Sequence, residues 1–154
     1  MAQAALDVQT VLRAAQKHLS ERNVCTFATS HRDSPWAASA FYVIRGLNIF
    51  TCQRKDARTL AHMRANPNVA FAVDDNKVEA WFQGLGQAKI ITGPDEGWAR
   101  EQLQRAAPEF AKHFANPDYP VLSIGLREFT FVNRNGGITP RQHLIRQGDD
   151  WRFA

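Results

Sequence analysis

Cysteine is scarce in this chain. Cys25 and Cys52 are the only two among 154 residues. That is too few for a disulfide framework, and their separation fits no zinc-ligand spacing. Both are expected to be reduced and buried. Long apolar runs are also missing: nothing approaches the roughly 20 residues a membrane-spanning helix needs. The segment Met1-Ala2-Gln3-Ala4-Ala5 has neither the basic start nor the apolar stretch of a secretory signal. A cytoplasmic location and no membrane partner are the expectation. No block of five like charges occurs, which argues against a nucleic-acid-binding arm. There is no G-x-S-x-G elbow, no phosphate loop of the G-x-x-x-x-G-K type and no H-E-x-x-H. The five histidines, His18, His31, His62, His113 and His143, lack metal-ligand spacing, and each reads as a surface residue. Gly84 and Gly86 follow a strand pattern but open no helix, so they are not a dinucleotide fingerprint. Asp74 and Asp75 fit a turn better than a catalytic carboxylate pair. No general acid, general base or metal site can be nominated. What remains is a binding module, or an enzyme whose cofactor carries the chemistry.

What is present describes one globular domain spanning 1–154. Hydrophobic residues make up 44% and charged residues 22%, and neither repeats nor linkers interrupt the chain. The net charge of +4 is modest and reads as a solvated, arginine-rich surface. Residues 7–22 predict an amphipathic helix capped by Asp7, with Val8, Val11, Leu12, Ala15 and Leu19 on one face. Strand patterns follow over Val24–Thr29, Trp36–Ile44 and Leu47–Cys52, separated by turns at 31–35 and 45–46, which suggests a meander. A short helix should end before Asn66-Pro67. Val69–Val73 reads as a strand, Asp74–Asn76 as a turn, and Val78–Thr92 as a long strand bent or bulged at Gly84 and Gly86. Pro94, Asp95 and Glu96 open another helix, which Pro108 interrupts and Asn116-Pro117 ends. Val121–Val132 and His143–Arg146 return to strand. Six or seven strands with flanking helices predict a mainly β fold, a closed or nearly closed antiparallel barrel.

The stretch from Phe50 to Leu60 joins a strand end to a helix start. It brings together Arg54, Lys55 and Arg58, the hydroxyls of Thr51 and Thr59, and the free amides of a helix N-terminus. A cation in the first helical turn opposes the helix dipole unless an anion sits nearby. A phosphate monoester would answer that geometry, with about −1.5 to −2 charges and three acceptor oxygens. A second reading stands beside it: Asp56 caps the helix and the arginines are simply solvated.

Several segments taken in order resemble the FMN-binding split-barrel family related to pyridoxamine 5′-phosphate oxidase. They are Ala40-Phe41-Tyr42-Val43, Ile49-Phe50-Thr51, Ala57-Arg58-Thr59 and Arg64-Ala65-Asn66-Pro67-Asn68-Val69-Ala70. Phe82-Gln83-Gly84-Leu85-Gly86-Gln87-Ala88 and the closing Phe129–Gly137 follow. The likeness runs from about Val24 to Arg146 and is nearest to small bacterial members. The residues flanking the family's arginine, serine and lysine, stand here as Ala57 and Thr59, so one cation and one hydroxyl of the usual phosphate cluster are absent.

The resemblance implies an antiparallel split β-barrel and FMN as cofactor, with deazaflavin and haem as alternatives within the superfamily. Arg58 would pair with the FMN phosphate, and Thr51 and Thr59 would hydrogen-bond near it. Phe41 and Tyr42 would run past the isoalloxazine, and Gln83 would approach the ring or ribityl chain. For Phe41, core packing stands as the alternative; for Gln83, an exposed strand position. Trp36, Trp81, Trp98 and Trp151 are assigned to core or dimer packing. A homodimer with sites at its interface is implied. Two functions stay open: a flavin-dependent oxidoreductase acting on a small-molecule substrate, and a non-catalytic module that sequesters flavin or haem. A nucleic-acid-binding barrel is disfavoured, because Cys-Thr-Phe-Ala-Thr and Val-Ala-Phe-Ala-Val do not interleave aromatic with basic residues.

Overall fold

The structure, a computed structural model, describes residues 5–154. Helix α1, Val8–Ser20, begins where Asp7 accepts a 2.7 Å hydrogen bond from the Thr10 amide. The hydrogen bonds from Thr10 hold the Asp7 carboxyl below its usual range. Val11, Ala15, His18 and Leu19 are buried on one face, with Val8 and Leu12 packed at its edge. At the far end the Tyr42 hydroxyl donates to the Leu19 carbonyl at 2.6 Å, fastening the helix to the sheet.

Nine antiparallel strands form one sheet: β1 Val24–His31, β2 Ser34–Phe41, β3 Val43–Arg45, β4 Asn48–Cys52, β5 Asn68–Asp75, β6 Ala80–Ile90, β7 Val121–Asn133, β8 Ile138–Gln147 and β9 Asp150–Phe153. The main path runs β2-β1-β5-β6-β7-β4-β3, and β8 and β9 extend from β7. The helices are α1, α2 Arg58–Ala65, α3 Pro94–Ala106 and α4 Ala111–Ala115, with a 3-10 turn at Pro108–Phe110. The sheet rolls up until its two ends meet: the Thr51 hydroxyl of β4 donates to the Phe41 carbonyl of β2 at 2.9 Å. Among the described residues no continuous strand pairing closes that seam, so the result is a split barrel.

Four sequence expectations need correction. The 31–35 turn shortens to Arg32 and Asp33, both at positive φ (49° and 58°), the geometry of a two-residue hairpin whose twist matches its strands. Pro35 therefore lies within β2, which a strand at the sheet's end tolerates. The expected strand 36–44 breaks at Tyr42, whose amide bonds to Asn23 O while the ring enters the core. The chain resumes as β3, turns at Gly46 (φ 62°) and pairs with β4 at the opposite end of the sheet, so the first strands form no meander. Asp74 and Asp75 stay in β5, opposite Trp81 and Ala80, and the turn moves to residues 76–79. The last strand pattern is longer than expected and is followed by β9, which brings the count above seven.

Two apolar clusters hold the fold. The barrel core contains Phe27, Phe71, Phe82, Phe129 and Phe131, with Phe82 stacked on Phe129 at 5.1 Å. A second cluster, Phe50, Leu103, Phe114 and Val121, seats α3 and α4 against β4 and β7. Both cysteines are free and buried, as expected, and burial pushes both thiols up. Two histidines are not the surface residues expected. His18 is 3% exposed and bonds to Val73 O at 2.8 Å, and His62 is 6% exposed with Thr29 Oγ1 at 3.1 Å.

Candidate functional site

The split in the barrel opens into a cavity of about 520 Å³. One wall is β2, through Trp36, Ala38 and Phe41. Another is the end of β4 and the loop beyond it, through Cys52 and Gln53. The third is the start of α2, through Ala57, Arg58 and Thr59, and Phe110 and His113 close the far side. That volume lies in the range of small-ligand pockets.

Arg58 is held without neutralisation. Its guanidinium lies 4.6 Å from the centre of the Trp36 ring and donates to Ser34 Oγ at 3.2 Å. Among the described residues no carboxylate comes within ion-pairing distance of it. The question of what caps α2 is answered by Ala57, which occupies the cap and offers no side-chain acceptor. Asp56 is instead turned to Arg54, which grips it through two contacts of 3.1 and 2.9 Å. Those bonds hold the Asp56 carboxyl below its usual range. The first-turn amides of α2 thus have no side chain to satisfy them, and an uncompensated guanidinium stands beside them. Thr59, 4% exposed, lines the same cavity and its hydroxyl has no partner among the described residues. An uncapped eight-residue helix, a free guanidinium and a free hydroxyl on one cavity fit an anionic group such as a phosphate.

Of the six residues singled out from sequence, Arg58, Thr59 and Phe41 line this cavity. Thr51 lies behind it. Fully buried, its hydroxyl donates to Phe41 O and accepts from Gln53 Nε2 at 3.0 Å, so it braces the seam and positions Gln53. Tyr42 is elsewhere, 1% exposed beneath α1, because its amide bonds to Asn23 O where the strand breaks and its hydroxyl reaches the Leu19 carbonyl. Gln83 is also elsewhere, on the outer face of β6. There its carboxamide oxygen accepts from Thr130 Oγ1 at 3.0 Å and from Arg141. Phe41 packs against Phe110 with ring centroids 4.9 Å apart, tilted by 44°, and so serves both packing and cavity.

Gln53, Phe110 and His113 were not foreseen. Phe110 is 46% exposed and, with Trp36, gives the cavity an open aromatic edge. His113 packs 4.8 Å from Tyr119, with Nε2 3.5 Å from Cys52 O. Both sit on the segment after Pro108, which Arg100 secures. The Arg100 guanidinium donates to the carbonyls of Phe114, Asn116 and Tyr119 at 2.7, 3.1 and 2.8 Å, and to Glu96 at 2.9 Å.

A sequence profile of the pyridoxamine 5′-phosphate oxidase family matches residues 11–133. The chain belongs to this family. No curated protein matches it. Among solved structures, a haem-binding protein from Mycobacterium smegmatis superposes with a TM-score of 0.72 at 20% identity, over 86% of this chain and 57% of that one. The chain therefore spans little more than half of that protein's length. A Clostridium acetobutylicum protein related to general stress protein 26, of the pyridoxinephosphate oxidase family, gives a TM-score of 0.69 at 12% identity, covering 91% of this chain and 96% of that one. An FAD-binding protein from Mesorhizobium loti gives 0.63 at 15% identity, over 77% and 90% of the two chains. At these identities the likeness is one of fold.

Proposed function

We propose that this protein binds FMN in the barrel split and works as a flavin-dependent oxidoreductase on a small molecule, as a homodimer. The observation that carries the reading is Arg58: a guanidinium without a carboxylate partner, at the uncapped start of α2, in a cavity with a free Thr59 hydroxyl. Family membership supports a flavin, and so does the FAD-binding fold relative.

In this reading Arg58 and the first amides of α2 hold the phosphate, and Thr59 adds a hydrogen bond. Phe41 and Phe110 supply apolar walls, and Gln53, oriented by Thr51, offers an amide to a polar ring edge. The flavin itself supplies the electron transfer; the chain supplies orientation, exclusion of water and an anchor. The outer face of β1, β5 and β6 is lined by the short side chains of Thr26, Ala28, Ala70 and Ala72 around Leu85, and suits close approach of a second copy.

A second reading, sequestration of haem or flavin without turnover, is favoured by one observation: His113, an imidazole, lines the cavity. The haem-binding fold relative supports it. The visible absorption spectrum of the purified protein discriminates the two. A flavin spectrum bleached by reduced nicotinamide cofactor supports the oxidoreductase. A Soret band lost in His113→Ala supports sequestration, and a spectrum unchanged by added FMN or haem would refute both.

A further inference from the structure

A second cavity, of about 450 Å³, shares no lining residue with the first. Its floor is built by strand register. Asn48, Gly125 and Gln87 stand opposite one another across β4, β7 and β6, and Phe50, Ser123 and Lys89 form the next row. Gly125 leaves a hollow between the two amides, and a Cβ placed there would meet nothing within 4 Å.

The rim is basic. Arg45 stands opposite Asn48 on the β3–β4 hairpin, 3.9 Å over the Trp98 ring and 2.8 Å from Asp95. Its charge is thereby answered and its side chain fixed. Lys89 and Arg127 are different: among the described residues neither has an acidic partner within 4.0 Å. Arg127 owes its place to a bulge. Leu85 pairs with Glu128 and Gly86 with Leu126, so Arg127 is the extra residue between them. Bulges of this kind re-aim a side chain. Among the described residues Asp95 is the one acidic residue lining the cavity, against three cations.

From this geometry we propose that the cavity is a binding site for a small organic phosphate, separate from the Arg58 site. The two uncompensated cations match the charge of one phosphate monoester, about −1.5 to −2. The cavity is far larger than a phosphate ion, and its floor offers two carboxamides and a hydroxyl to the organic part. Gly125 admits that part between Asn48 and Gln87.

The test is calorimetric titration of the purified protein with AMP and with ribose 5-phosphate, beside adenosine, ribose and inorganic phosphate. At least one of the two organic phosphates should bind, more tightly than inorganic phosphate and than its unphosphorylated counterpart. Lys89→Ala and Arg127→Ala should each weaken that binding by roughly tenfold or more. Gly125→Leu should abolish it by filling the hollow, with an unchanged circular-dichroism spectrum. Arg58→Ala should leave it intact. No binding of either organic phosphate, or binding no tighter than inorganic phosphate, would overturn the proposal, the latter marking an adventitious ion only. So would binding that survives Gly125→Leu, or that Arg58→Ala removes.

Discussion

Replacing Arg100 with alanine should loosen the wall of the candidate cofactor cavity. The Arg100 side chain is 12% exposed and reaches three carbonyls of the 114–119 segment and the carboxylate of Glu96. Hydrogen bonds to a charged group are worth about 1.5–3 kcal/mol each. They are not additive here, because the freed carbonyls of a surface segment regain water. Removing one partner of a buried ion pair costs about 3–5 kcal/mol. The Glu96 side chain keeps 30% of its exposure, which places the expected loss at the lower end, about 3 kcal/mol. For a chain of this length that lowers the melting temperature by roughly 6–12 °C. Urea denaturation gives the free energy directly. Arg100→Lys restores the charge but not the fork that spans three carbonyls, and should recover only part of the loss. Because Phe110 and His113 lie just before that segment and line the cavity, flavin affinity should fall as well. A loss below about 1 kcal/mol, or full rescue by lysine, would refute the view that this guanidinium secures the segment.

Three further outcomes are expected. Gly86→Ala should destabilise by about 1–3 kcal/mol, because overpacking against backbone cannot be relieved by a side-chain shift. Its Cβ would lie 2.5 Å from Gly125 O, whereas Gly125→Ala meets nothing within 4 Å and should be neutral; paired thermal melts check the contrast. Tyr42→Phe removes a buried 2.6 Å donor to Leu19 O, but the Arg22 amide still reaches that carbonyl at 3.4 Å. The expected loss in urea unfolding is therefore only about 1 kcal/mol. His18 is held below its ordinary value of 6.5, first by desolvation. In the window beneath 6.5 the unfolded chain binds a proton that the fold refuses, so stability is full above that pH and declines as pH falls toward the folded value. Urea midpoints measured across that window should fall more steeply for the wild type than for His18→Gln.

Much of the architecture was legible because its signals are local. Asp7 marks the start of α1, Asn66-Pro67 the end of α2 and Pro94 the start of α3, and each is a boundary written in two or three residues. The break at Tyr42 was not legible. Val-Ile-Arg after it is strand-like, and only the long-range pull of Asn23 O and the α1 core parts it from β2. The site shows the same division. Arg58, Thr59 and Phe41 stand on segments whose order marks the family, and they meet in one cavity. Phe110 and His113 come from a helical segment some fifty residues downstream, with no motif of their own. Only the rolling of the sheet brings them opposite Arg58. Tyr42 and Gln83 lie away from the split for separate reasons: Tyr42 leaves the strand where its amide turns to Asn23 O, and Gln83 sits on the outer face of β6, because strand residues alternate faces.

The measurement that bears most directly on the flavin assignment is a fluorescence titration of the apoprotein with FMN and with riboflavin, in wild type and Arg58→Ala. A charged hydrogen bond worth about 1.5–3 kcal/mol predicts a roughly tenfold to hundredfold loss of FMN affinity. Riboflavin, which has no phosphate, should lose far less. Arg54→Ala should change little, because Arg54 is already committed to Asp56. Equal losses for FMN and riboflavin, or no loss for either, would contradict the assignment of Arg58 as the phosphate anchor.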